Sequence, residues 1–387
     1  MGFWSGYWET GVLHQSVAAG TALASEVRPL HVLLCPDQPS WAFDNIADNI
    51  ARFAGPHRIS KLYMGKVIGN EHRFFEAIFL KRVDLCHIFW REDLFHLFHP
   101  ATIDKAARHL GLDHEAIVRA IGSCAFTTSV YDHLFSDADG IQERRAGFAL
   151  ADGYTVSSQR LRTIYAAQAD LPAPDAVISD GVDTDRFSPR AAERSPGAPF
   201  ALGWVGNSAW GKQSGGHDVK GFFRLFEPMM RFLAASGHAV EAKVADPQVR
   251  RISFEEMPDF YRQLDVFVCT SSIEGTPNPV LEAMACGIPV VSTDVGIVPE
   301  VFGDLQRRFI IEEPDPVKFA DAVAELARNS GLRAAIAMEN RQQALKWSWE
   351  RKTAAWWPFW QSVALRAMEP RAAARREFCI RSLAAGL

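Results

Sequence analysis

The stretch Ser272-Ile-Glu-Gly-Thr-Pro-Asn-Pro-Val-Leu-Glu-Ala-Met-Ala-Cys-Gly-Ile-Pro-Val-Val-Ser-Thr293 decides how the rest of the chain is read. Just before it, Asp265-Val-Phe-Val-Cys-Thr270 is a short apolar run of β-branched and aromatic side chains, the composition of a buried parallel strand. Gly275 and Pro277 predict a turn, Asn278 an N-cap and Pro279 the first position of a helix that runs to Ala285. Gly287 and Pro289 stop this helix, and Ile288 to Ser292 returns as the next strand. Strand, loop, helix and strand in this order leave free backbone N–H groups and a positive dipole end at the helix start, where an anion such as a diphosphate can sit. Glu274 lies in the loop and Glu282 on the helix. Carboxylates beside phosphate repel it, so both are assigned to hydroxyl recognition, Glu282 to vicinal hydroxyls such as those of a ribose.

A chain of 387 residues exceeds what one core usually serves, so two domains are expected. Hydrophobic content of 48% and charged content of 22% are those of an ordinary globular protein, and a net charge of −5 gives no reason to expect nucleic acid. The six cysteines lack CxxC spacing and fall in apolar segments, which suits reduced core residues of a cytoplasmic protein better than a disulfide framework. No stretch approaches the length of an apolar membrane span. The N-terminal MGFWSGYWETGVLH lacks the pattern of a secretory signal, and Gly6 breaks the myristoylation pattern. Its aromatic residues are expected to pack on a neighbouring domain, with an interfacial role open.

Strands and helices alternate along the chain. Strands are predicted at His31 to Cys35, Arg58 to Met64, Val83 to Phe89, Ala125 to Val130, Tyr154 to Ser157 and Ala176 to Ser179, with helices at Phe43 to Phe53, Glu71 to Lys81, Ile103 to Ile121 and Gln159 to Ala169. The second set has strands at Ala201 to Val205, Val240 to Val244, Val266 to Thr270, Val290 to Thr293 and Phe309 to Ile311. Such βαβ alternation predicts parallel sheets covered by helices on both faces. Between the sets, Ser188 to Pro199 carries three prolines and a glycine and reads as a linker. The expected division is a first domain over 1–187, a linker over 188–199, a second domain over 200–348, and a returning segment over 349–387.

A second constellation opens the second domain. Gly203-Trp-Val-Gly206 is followed by a polar loop containing Gly211, Gly215 and Gly216, and then by Lys220-Gly-Phe-Phe. A strand end, a flexible loop and a lysine at a helix start form a place to neutralise a diphosphate. A lysine with no ligand there would stand at the unfavourable end of the helix dipole.

Glu274-x7-Glu282 within EGTPNPVLEAMACGIPVV resembles the signature of retaining glycosyltransferases of the GT-B fold, family 4 above all. Ser179-Asp-Gly-Val-Asp-Thr-Asp-Arg-Phe-Ser-Pro189 resembles that family's N-G-V-D-x-x-x-F-x-P segment, with Asp180 in place of the asparagine, and Lys220-Gly221 matches its K-G. The resemblance implies two Rossmann-like doubly wound domains facing across a cleft, with the last helix crossing back to the first domain. It also implies sugar transfer from a nucleotide-diphosphate donor with retention, no cofactor and no metal. Glu274 and Lys220 become the catalytic candidates, and Glu282, Gly206, Asn207, Gly275, Thr276, Pro277 and Asn278 the donor-binding candidates. Arg250 to Phe254 is the place where the base is expected to stack. Asn207 holds the position of the family's loop arginine, leaving Lys212, His217 or the helix start to balance the charge.

In the first domain the likeness thins. Cys35-Pro-Asp-Gln-Pro-Ser-Trp-Ala-Phe43 replaces the family's Gly-Gly loop; Asp37 and Trp41 are candidates for acceptor recognition, with Trp41 equally a cap on the sheet edge. Tyr131-Asp132, with His133 one place later, corresponds to the family's histidine-aspartate pair near the sugar. Asp84-x-x-His87 resembles an earlier family strand, but a histidine in an apolar strand is assigned to the core. The implied partners are a nucleotide sugar and a saccharide, lipid-linked or protein-linked acceptor. The aromatic run Trp349 to Trp360, followed by Arg371, Arg375, Arg376 and Arg381, leaves peripheral contact with the inner membrane face open beside packing. The alternative function is a GT-B-like protein that binds a nucleotide sugar, or a partner, without catalysis.

Overall fold

The computed structural model describes residues 28–190, 198–210 and 218–384. The readings made for the N-terminal aromatic residues and Gly2–Gly6 pattern, the linker interior, and Gly211, Lys212, Gly215, Gly216 and His217 lie outside the described residues.

The first sheet contains β1 (His31–Cys35), β2 (Arg58–Lys61), β3 (Leu85–Trp90), β4 (Ala125–Val130), β5 (Gly153–Val156) and β6 (Ala176–Val177), all parallel, in the order β2-β1-β3-β4-β5-β6. The second contains β7 (Phe200–Val205), β8 (Val240–Ala245), β9 (Val266–Cys269), β10 (Val290–Thr293) and β11 (Ile310–Ile311), also parallel, in the order β11-β10-β9-β7-β8. Every residue of β4 and of β9 is buried, the pattern expected of strands covered by helices on both faces. The order reverses between β1 and β3 in one sheet and between β7 and β9 in the other. At such reversals the following loops part and open a crevice beyond the strand ends.

Helix boundaries depart from the expected ones for local reasons. The single helix expected at Ile103 to Ile121 is two, Pro100–Leu110 and His114–Ile121, because Gly111 adopts φ +66° and Asp113 caps the second through Ala116 N–H. The strand expected to reach Met64 ends at Lys61, and Met64–Val67 is a short helix. Pro358 does not kink a continuous helix. It lies in the first turn of Trp356–Ala367, where a missing N–H costs no hydrogen bond.

The segment after Trp347 returns to the first sheet. Trp349, Trp356, Phe359, Trp360 and Val363 share a core with Val32, Leu34, Ile46, Leu85 and Phe89. His87 is wholly buried there, with Nδ1 2.9 Å from Thr127 Oγ1 and its ring edge-on to Phe89 and Trp356; burial lowers its pKa to about 3. It is a neutral core residue. The two chain passages between domains run side by side, with Val182 N–H donating to Trp347 O and Trp349 N–H to Val182 O. In the last helix, Pro370–Ala384, Arg375 and the buried Arg376 pair with Asp152, and Arg381 pairs with Glu115 and Glu377. These arginines are therefore engaged within the protein. Among the described residues no helix is long and apolar enough to cross a membrane.

Trp360 is fully buried and its indole N–H has no partner, so its contribution to this returning core is apolar. Trp360→Ala is expected to cost about 3–5 kcal/mol and Trp360→Phe clearly less, measured by urea unfolding.

Candidate active site

The loops after β7 and β9 flank a cleft of about 300 Å³ lined by Gly206, Lys220, Thr270, Glu274, Thr276 and Asn278, with Ala42 of the first domain on its far wall. A slightly larger apolar cavity, about 340 Å³, lies away from this cleft between Leu30, Cys124, Leu365 and Met368. Its charged pair, Arg28 and Asp84, is mutually neutralised, so it offers no convergent chemistry.

Lys220 is placed by its backbone. Thr270 Oγ1 accepts from Trp204 Nε1 at 2.9 Å and donates to Lys220 O at 2.7 Å, while Ser272 N–H donates to Val219 O at 2.8 Å. Gly221 follows at φ +69°, where a Cβ would stand 2.1 Å from Thr270 O. No other residue fits so tight a bend. The lysine thus projects from a segment sewn to the end of β9, with Nζ donating to Glu274 Oε1 at 2.5 Å and lying 5.4 Å from the Trp210 ring centre. The helix beyond it opens with a wide π-turn, Phe222–Phe226, before Glu227–Ala235.

Glu282, on the helix Asn278–Ala285, accepts from the Tyr261 hydroxyl at Oε2, 2.7 Å away. Burial raises its pKa to about 7 although part of its surface stays open, and the Tyr261 bond opposes that rise. Tyr261 itself is fully enclosed between Phe187 and Phe267. Asn278 does not cap its helix. The cap position is Pro277, without a side-chain bond, and the Asn278 carboxamide instead donates to Asp180 Oδ2 at 3.3 Å. Asn207 Oδ1 accepts from Ala209 N–H at 3.0 Å and Gln248 Nε2 at 3.2 Å, which makes it a loop-shaping residue. Gly206 joins β7 to this loop, its N–H donating to Ala245 O at 3.1 Å. In the expected base region, Phe254 packs edge-on to Phe187, 5.8 Å away, under the Arg186 guanidinium.

The first domain touches the same loop. A Cβ on Gly275 would meet Ser157 Oγ at 2.1 Å and Tyr131 O at 2.3 Å, so only glycine allows the contact. Arg160 binds Asp294, Gln159 N–H donates to Glu300 Oε1 at 2.8 Å, and Asp180 N–H donates to Thr276 Oγ1 at 3.3 Å. Tyr131, at the end of β4, packs on Phe43 and holds a buried hydroxyl with no partner. Asp132 Oδ1 is taken by Arg91, at 3.0 Å, and by Leu134 N–H, which gives it a framework role. His133 is half-buried with Nδ1 unpartnered, and its pKa is lowered chiefly by burial. Asp37 stands in the loop after β1, its pKa raised by burial, whereas Trp41 is 53% exposed at the start of the helix Ala42–Arg52.

Glu274, Lys220, Gly206, Thr276, Pro277 and Asn278 therefore share one cleft, with Gly275 at the domain seam behind it. Sequence reasoning missed the supports: Thr270, Tyr261 as partner of Glu282, and the Arg160–Asp294 pair. Only Tyr261 carried a signal, an aromatic hydroxyl one turn before the strand that leads to the motif.

Residues 247–343 match the family described as glycosyl transferases group 1. A D-inositol 3-phosphate glycosyltransferase of Saccharomonospora viridis is 28% identical over 305 residues, covering 69% of this chain and 64% of the relative. A lipopolysaccharide core biosynthesis mannosyltransferase, LpsB, of Rhizobium meliloti is 31% identical over 185 residues, covering 40% of this chain and 51% of that protein. The chain thus spans less than two thirds of the length of either curated relative. Among solved structures, a glycosyltransferase from Rickettsia africae superposes with TM-score 0.62 at 12% identity, covering 87% of this chain and 99% of that one. Anabaena Alr3699/HepE in complex with UDP superposes with TM-score 0.58 at 14% identity over 86% of this chain and all of that one. The architecture is the GT-B fold. The chain is a relative of the group 1 glycosyltransferases, and its pattern fits family 4.

Gly275→Ala is expected to force the seam apart while leaving each sheet intact. Small-angle scattering should record a larger radius of gyration than for the parent, with far-UV circular dichroism unchanged.

Proposed function

We propose that the protein is a retaining glycosyltransferase that moves a hexose-type sugar from a nucleotide-diphosphate donor to a hydroxyl of a saccharide, lipid-linked or protein-linked acceptor. The observation that carries this reading is the opposed pair of Lys220 and Glu274 at the sheet's reversal, beside the start of the helix Asn278–Ala285. Transfer develops two charges together, negative on the departing diphosphate and positive on the sugar ring. Lys220 and the helix N–H groups stabilise the first. Glu274 orients the sugar and supports the second, and Glu282, held by Tyr261, accepts from the ribose hydroxyls.

In the front-face course, the bond from the anomeric carbon to the diphosphate oxygen breaks as the acceptor oxygen bonds to the same face. The acceptor proton passes to the departing phosphate. The reading needs neither a separate base nor a metal, because Lys220 supplies the cation. Closure of the two domains around a bound donor would keep water, a competing acceptor, from the reacting carbon. A cytoplasmic site of action is supported by six cysteines that are all buried and free. Polysaccharide or glycolipid assembly is the process this reading favours, in keeping with the mannosyltransferase relative. Contact with a membrane surface forms no part of it, since three of the arginines considered for that role, Arg375, Arg376 and Arg381, bind Asp152, Glu115 and Glu377, the Arg371 side chain lying outside the described residues.

One observation favours the second reading, a nucleotide-sugar-binding protein without catalysis. The Asn207 carboxamide is committed to the loop, so the position of the family's arginine provides no cation. Nucleotide release from a panel of nucleotide sugars, with and without candidate acceptors, separates the two. Turnover is expected for the parent, with a loss of about 100-fold or more in Lys220→Ala and Glu274→Ala. Binding without hydrolysis or transfer would establish the second reading, and undiminished turnover in either variant would remove that residue from the site.

A further inference from the structure

Asp180 stands where the resembling segment carries asparagine, and the structure puts this carboxyl group directly behind the cleft. It is 4% exposed. Its N–H donates to Thr276 Oγ1 and its Oδ2 accepts from Asn278 Nδ2, each at 3.3 Å, and both partners line the cleft. Two buried polar atoms around it lack partners: Asn278 Oδ1 on the donor loop and the Tyr131 hydroxyl at the end of β4. Burial brings the carboxyl pKa up to about 7, with the Asn278 bond opposing the rise.

The charged groups on the surrounding elements are already engaged. On the loop after β9, Glu274 holds Lys220; on the helix after β5, Gln159–Ala166, Arg160 holds Asp294; and in the segment after Gly181, Asp183 holds Arg52. From the helix Trp349–Thr353, which presses on Gly181, Lys352 lies over the Trp347 ring, while Glu350 and Arg351 are exposed. His133 follows Tyr131, with Nδ1 unpartnered. An ionised Asp180 would thus be a buried acceptor-only group with one long hydrogen bond. A neutral carboxyl does better, because its O–H can donate to Asn278 Oδ1 while its other oxygen accepts from Asn278 Nδ2. Such an acid–amide pair satisfies the orphan carboxamide oxygen, and it is the same pairing that an asparagine would make.

We propose that Asp180 is a positioning residue that works in its neutral form, clamping the Asn278 carboxamide so that Thr276 and Asn278 are set for the donor's diphosphate. Ionisation breaks the clamp and places a negative charge behind those two residues, which weakens diphosphate binding. The proposal rests on the nucleotide-sugar reading of the cleft. It differs from that reading in naming a residue outside the cleft and a pH dependence that the asparagine of the resembling segment would lack.

The test is titration of UDP-glucose and GDP-mannose into parent, Asp180→Asn and Lys220→Ala proteins between pH 5.5 and 9, by calorimetry. These probes carry no phosphate that ionises in this range. Glu282 titrates in parent and Asp180→Asn alike, so the difference between their profiles isolates Asp180. Parent affinity is expected to fall about tenfold more than that of Asp180→Asn as pH rises from 6 to 8.5, one unit of coupling being a factor of ten. Parallel profiles, with binding still dependent on Lys220, would overturn the clamp and leave the donor site standing. Absence of binding to the parent, or full binding by Lys220→Ala, would overturn the nucleotide-sugar reading and the clamp with it.

A measurement without ligand gives a second check. The folded carboxyl titrates about 7 and the unfolded one near 3.8, so the folded state binds more protons between these values. Parent stability should therefore decline relative to Asp180→Asn as pH rises from about 4 to about 7, read as a widening gap in melting temperature. A constant gap would overturn the clamp.

Discussion

The structure turns on the close approach of one glycine to another domain. Gly275 sits with Ser157 Oγ and the Tyr131 carbonyl where its side chain would be, and its own carbonyl accepts from Ile297 N–H. Gly296, at φ +48°, is in turn packed on the Gly275 carbonyl. These contacts fix Glu274 on one side of the glycine and Thr276, Pro277 and Asn278 on the other. The cleft therefore takes its shape partly from the first domain, although nearly all of its lining belongs to the second. A loop held on two faces by backbone contacts loses little further entropy when a ligand orders it, which is how a site is preorganised.

The electrostatics follow from that enclosure. Lys220 and Glu274 satisfy each other across the open part of the cleft, where water still screens them, so the pair is a modest source of stability. Glu282 and Asp180 lie deeper, each with one hydrogen bond and no cation among the influences acting on it. Burial governs both, and both titrate near neutrality. They differ in their partners. Tyr261 can only donate to Glu282 while it keeps its proton, and so favours the charged form of that carboxylate. Asn278 offers Asp180 both a donor and an acceptor, and so can serve the neutral form.

Much of this was legible in the sequence because strands buried on both faces advertise themselves. Val266 to Cys269 is a continuous apolar run, Ala125 to Val130 is rich in β-branched and small residues, and the motif from Ser272 to Thr293 carries its own Gly and Pro punctuation. What failed had either a local or a long-range cause. The 3.6-residue pattern of Ile103 to Ile121 predicts one helix, but Gly111 in the left-handed region ends the first and Asp113 caps a second. Asn278 has the composition of a cap, but a partner 98 residues earlier in the chain, Asp180, claims its side chain. Contacts of that separation leave no periodic trace. The same holds for Thr270 beneath Lys220, whose role comes from the third dimension alone, and in part for Tyr261 behind Glu282.

The two halves of the site are built under different constraints, and this explains why one was readable and the other was not. On the proposed reading, a diphosphate and a ribose would demand fixed donors and acceptors, and the second domain would present them from backbone pinned at Thr270, Gly221 and Gly275. Such geometry admits few residue types, so the sequence that makes it is recognisable. The first domain faces the cleft with a loop bearing Asp37 and the half-exposed Trp41, and with the end of β4, where Asp132 serves Arg91; Asp37, Tyr131 and His133 each retain an unpartnered polar atom. Tyr131 is held there by packing on Phe43, and packing of this kind accepts many solutions. A surface free to vary in that way can be fitted to one acceptor without disturbing the donor site, because the domains meet through the glycine contact and a few polar bonds. The division of labour thus follows from where the backbone is tied down.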